Sequence, residues 1–126
     1  MNKNYKLRDQ IIFGKNIPEY NDICHFNQLS LQQLLQLIEL NFIELDEYQN
    51  NSPTTEEILE FLGKYPKYTA HGYVVTITRN DYRTTLEGVE KNSYFESKQE
   101  KKDFYKLFSQ ADELIIEDNQ IYCWYD

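Results

Sequence analysis

Three capping motifs fix where helices begin in this chain, and with them much of its fold. Ser30 is followed three residues on by Gln33, Thr54 by Glu57 and Ser97 by Glu100. In this spacing the hydroxyl accepts from the amide three residues later, and the Gln or Glu side chain reaches back to the amide of the cap. Each motif satisfies amides that the first helical turn leaves unpartnered, and a cap of this kind is worth about 1 kcal/mol. The spacing predicts helices over 31–42, 54–64 and 97–111. Their apolar stripes are Leu31, Leu34, Leu35, Ile38 and Phe42, then Ile58, Leu59, Phe61, Leu62 and Tyr65, then Phe104, Leu107, Phe108 and Ala111. Leu29 and Leu34 stand at staple positions around the first cap. Gly63 before Pro66 predicts the end of the second helix.

Strand signals cluster after residue 70. Gly72–Thr78 is dominated by β-branched and aromatic side chains, Arg79-Asn80-Asp81 reads as a turn, and 82–89 returns. Residues 113–125 form a second hairpin around Asp118-Asn119, two residues that tolerate the positive φ of a tight turn. Residues 5–13 fit either a strand or a short helix, and 14–28 and 43–53 read as loops. The expected fold is therefore one α+β domain over 1–126. It has an antiparallel sheet of about four strands, two hairpins joined by a helix, covered by the N-terminal helices. A chain of 126 residues is long enough to bury one core without disulfides or metals.

Charge is distributed unevenly. Residues 1–15 carry a net +3 and residues 64–126 a net −2, but residues 16–63 contain no Lys or Arg. That segment holds Glu19, Asp22, Glu39, Glu44, Asp46, Glu47, Glu56, Glu57 and Glu60, and accounts for the overall charge of −8. Nucleic acids and anionic membranes recruit proteins through Lys and Arg, so neither is an expected partner. No apolar run is long enough to span a bilayer, and Met1–Lys6 lacks the apolar core of a signal peptide, so a soluble cytoplasmic protein is expected.

Motifs for catalysis are sparse. The four glycines are scattered, which excludes a phosphate-cradling loop, and no Cys-x-x-Cys or His-x-x-x-His pair occurs. Cys24, His25, His71 and Cys123 contain one adjacent pair and no zinc-like spacing, and no cofactor or metal is expected. Cys123 within Ile-Tyr-Cys-Trp-Tyr reads as a small buried hydrophobe. Asp46-Glu47-Tyr48-Gln49-Asn50-Asn51 lacks the Gly and closing Glu of a calcium loop. His71 before Gly72 reads as a hydrogen-bonded strand-end histidine, with Gly72 permitting close backbone approach.

Two functional classes fit these residues. The first is a non-enzymatic protein-interaction module docking a basic protein through Glu44, Asp46, Glu47, Glu56, Glu57 and Glu60. Small acidic bacterial proteins that neutralise toxins or mimic DNA share this composition. The second is a small enzyme or ligand-binding domain with a pocket near His71, Tyr73, Arg83 and Trp124. Polar groups converging in a cleft separate the second class from the first.

Overall fold

Each of the three hydroxyls caps the helix predicted from it. The computed structural model describes residues 1–126. Ser30 and Thr54 form reciprocal capping boxes at α2 (Leu31–Glu39) and α3 (Thr55–Lys64). Ser97 accepts from the Glu100 amide at the start of α4 (Lys98–Phe108), but the Glu100 side chain does not return to it. It is drawn inward instead, onto Lys91 Nζ at 2.6 Å and the Tyr68 hydroxyl at 2.8 Å. Replacing Ser30 or Thr54 by Ala should lower stability by about 1 kcal/mol each in urea titration. Unchanged midpoints would mean that the boxes contribute nothing.

α3 ends at the expected residue 64, but α2 and α4 stop three residues short of the expected 42 and 111. α2 stops at Glu39, and Asn41 takes a positive φ of 62° just beyond it. Leu37, not Leu35, joins Leu34 in the core, and Leu35 is exposed. Gly63 lies inside α3, which ends one residue later with Tyr65 as its cap.

Residues 5–13 form a helix, α1 (Tyr5–Phe13), capped by Asn4. Its docking is polar as well as apolar. Ile12 joins the core, and Arg8 is fully buried. The Arg8 guanidinium bonds Asp9 and reaches the carbonyls of Val75 and Arg83 at 3.2 and 3.3 Å.

Five antiparallel strands form one sheet: β1 (Ile23–Leu29), β2 (Thr69–Val75), β3 (Thr84–Lys91), β4 (Glu113–Glu117) and β5 (Gln120–Trp124). Their spatial order is β1-β2-β3-β5-β4, so α4 joins the two predicted hairpins. The β4–β5 turn at Asp118-Asn119 forms without positive φ. β1 is the strand that adds to the expected four. Phe26 pairs with Gly72 and Leu29 with Ala70, so β1 carries one extra residue at a bulge where Gln28 takes a φ of 54°. The bulge lets Phe26 and Leu29, three residues apart, both enter the core.

One core cluster contains Ile12, Leu34, Leu37, Ile58, Phe61, Leu62, Phe104 and Phe108 from the helices. It also contains Phe26, Ala70, Val74, Leu86, Val89, Ile121 and Cys123 from the strands. All four helices thus pack against one face of the sheet. The alternate strand positions His25, Tyr73, Tyr122 and Trp124 stay outside this cluster, on the other face. No helix is long and apolar enough to cross a membrane.

Candidate functional site

Two regions carry groups available for recognition. The first is the connection between α2 and α3 together with the start of α3. Glu44, Asp46, Glu56, Glu57 and Glu60 are exposed, and none of them forms a salt bridge. Glu57 is nonetheless tied down, because its carboxylate accepts from the Thr54 amide. Glu47 departs from the expected exposure: it is half-buried, and burial pushes its carboxyl above the usual range. The charges of Glu44 and Asp46 push the same way, while a backbone hydrogen bond at Glu44 and the charge of Arg83 pull it down.

The connection also exposes apolar side chains. Leu40, Leu45 and Tyr48 stand out, Tyr48 with 68% of its surface exposed. The connection is held against the C-terminus. Gln49 donates to the Tyr125 carbonyl at 3.0 Å, and Asn50 donates to the Asp126 carbonyl. The Asp126 amide in turn donates to Asp112 at 2.8 Å. Asp112 and Asp126 therefore join the acidic surface, which sequence reasoning confined to residues 44–60. A signal existed: residues 107–126 carry Asp112, Glu113, Glu117, Asp118 and Asp126 without one Lys or Arg. The pKa of the buried Tyr125 hydroxyl is raised first by burial and then by Cys123, Asp112 and Glu57. Lys64, paired with Asp103 at 2.8 Å, and Lys106 line one depression with Glu57 and Glu60 and so bound the surface on that side.

The second region is a cleft of about 600 Å³ that reaches from open-face side chains of the sheet to Phe26 and to Ile12 and Phe13 at the end of α1. His71 and Trp124 line it, as the sequence suggested, together with His25, Glu87, Glu90 and Tyr122. Tyr73 and Arg83 do not. Arg83 donates to the Tyr73 hydroxyl at 2.7 Å, and that hydroxyl donates to Gln49 at 3.1 Å, so both are committed to holding the connection.

His71 is buried and donates from Nε2 to the Cys123 carbonyl at 2.9 Å. Burial lowers its pKa, which keeps the ring neutral at pH 7. The ring stacks on Tyr122, with centroids 4.9 Å apart and planes 7° from parallel. This packing depends on two close backbone approaches. A Cβ on Gly72 would lie 1.9 Å from the Thr85 carbonyl oxygen, and one on Gly88 would lie 2.0 Å from the Cys123 carbonyl oxygen. Cys123 is fully buried with its thiol pushed up to about 12 by burial, and Cys24 is half-buried. No three His, Cys, Asp or Glu side chains gather in a geometry that would hold a metal ion.

No protein-family model, curated protein or solved structure matches this chain. Its functional reading therefore stands on the geometry of these two regions.

Proposed function

We propose that this protein is a non-enzymatic interaction module that docks a basic protein on its acidic surface, as a toxin-neutralising or DNA-mimicking protein would. One observation carries the reading: exposed Tyr48 and Leu45 sit among carboxylates that form no salt bridge. Interfaces are anchored by Tyr-type side chains that bury a large apolar body and keep a polar tip. Unpaired charge around such anchors accelerates encounter with an oppositely charged partner and sets its orientation. A surface meant only for solubility has no need of three exposed apolar side chains in the same short connection. The cleft favours a second reading, a ligand-binding domain, through the buried carboxylate of Glu87.

The two kinds of group make separable contributions. Glu44→Lys, Asp46→Lys, Glu56→Lys and Glu60→Lys together leave the fold intact, because none of these side chains bonds to the rest of the protein. Glu47 and Glu57 are left in place, since one is half-buried and the other caps α3. For a basic protein recovered with the wild-type chain, the fourfold variant should slow association by at least tenfold at low salt. Tyr48→Ala should act on dissociation instead, accelerating it about tenfold or more, as truncating an interface anchor does. Salt-independent association, equal in wild type and the charge-reversed variant, would reduce the acidic surface to a solubility device.

A further inference from the structure

Three carboxylates are buried in this protein, and only two buried cations meet them. Asp9 pairs with Arg8 at 2.9 Å and Glu100 with Lys91 at 2.6 Å. Glu87, only 6% exposed, contacts no Lys or Arg. Its two partners are the Trp124 indole, which donates to Oε2 at 3.1 Å, and His25 Nδ1, 3.3 Å from Oε1 on a largely exposed ring. A carboxylate oxygen accepts more than one hydrogen bond, so both oxygens retain acceptor capacity. A buried charge is normally met by an opposite one.

The backbone places Glu87 deliberately. His71 pairs with Gly88 but Gly72 pairs with Leu86, so β3 carries one extra residue here. This bulge lets Leu86 and Val89 both face the core and turns Glu87 to the open face, where it lines the cleft. Glu90 adds a second carboxylate, and no Lys or Arg lines the cleft. The negative field is visible at Tyr122, whose phenol is raised by burial first and then by Glu113, Glu90 and Glu87. Tyr122 and Trp124 supply aromatic surface, and rings of this kind attract organic cations. The volume falls within the range of about 300–1,000 Å³ typical of small-molecule sites.

We propose that this cleft binds a small organic cation, with a guanidinium or amine group on Glu87 and its body against Tyr122 and Trp124. The inference does not rest on the docking-surface reading. Trp124 is the sole tryptophan, so its emission reports on the cleft directly. Agmatine, the probe, should change that emission saturably, while butylurea, neutral, and succinate, anionic, should not. Glu87→Gln should weaken agmatine at least tenfold. Glu90→Gln, which removes a carboxylate that bonds nothing else in the fold, should weaken it several-fold, and Glu56→Gln on α3 should leave it unchanged. A response to succinate or butylurea equal to that of agmatine would overturn the proposal. So would an agmatine response that fails to saturate, or one that neither Glu87→Gln nor Glu90→Gln weakens.

Discussion

Replacing Arg8 by Met should lower folding stability by about 3–5 kcal/mol, the cost of stranding one member of a buried ion pair. Arg8 is fully buried, and its removal leaves Asp9, 4% exposed, with the Tyr20 hydroxyl as its remaining side-chain partner at 2.5 Å. The carbonyls of Val75 and Arg83 lose a shared donor at the same time. The guanidinium also lies 4.6 Å from the centre of the Tyr82 ring, so packing is lost with the charge. Lys at this position should restore only part of the loss, because a point charge cannot serve Asp9, Tyr20 and two carbonyls together. Urea unfolding of the three proteins measures this. A loss below about 1 kcal/mol in Arg8→Met, the size typical of exposed ion pairs, would mean that α1 is not docked through this pair.

Lys91→Met is expected to have an effect of similar size. Lys91 and Glu100 are both buried, and Lys91 also lies 5.1 Å from the centre of the Tyr68 ring. Losing the ammonium leaves Glu100 charged inside the protein, with the Tyr68 hydroxyl and the Glu96 amide as its donors. The single variant should lose about 3–5 kcal/mol. Adding Glu100→Gln should recover a large part of it, because the stranded charge disappears while an amide oxygen can still accept from the Glu96 amide. A double variant whose losses simply add would show that the two side chains do not interact as a pair.

The helix starts were legible because a cap is a local device: Ser30, Thr54 and Ser97 act within three residues of themselves. The elements that were misread depend on partners distant in sequence. β1 has no period-2 alternation to read, because its bulge places Phe26 and Leu29 on the same face. The same device in β3 hides Glu87, which is adjacent in sequence to a core leucine yet faces the cleft. Glu100 was read as half of a capping box, and the attraction of buried Lys91 overrides that local preference. Arg8 gave no signal of burial, since a charged side chain earns a place in the core only through partners, here contributed from Tyr20, Val75 and Arg83.

The acidic surface was legible in part. Its carboxylates from 44 to 60 were visible as a stretch without bases, and five of the six named are exposed. Glu47 was misjudged because the connection folds back against Arg83 and the C-terminus instead of extending into water. The contribution of Asp112 and Asp126 required the contact of Gln49 and Asn50 with residues about 76 positions away. Of the four residues named for a pocket, His71 and Trp124 line the cleft, while Tyr73 is engaged by Gln49 and Arg83 by Tyr73 and Asp81.

Amide chemical-shift mapping, with the recovered basic protein titrated into labelled wild-type chain, tests the central claim most directly. The docking account predicts that the largest changes fall on residues 44–60, centred on Leu45 and Tyr48, and on Asp112 and Asp126. Changes confined to the open-face residues His25, Glu90 and Tyr122, or to the exposed lysines Lys98, Lys101 and Lys102 of α4, would contradict it.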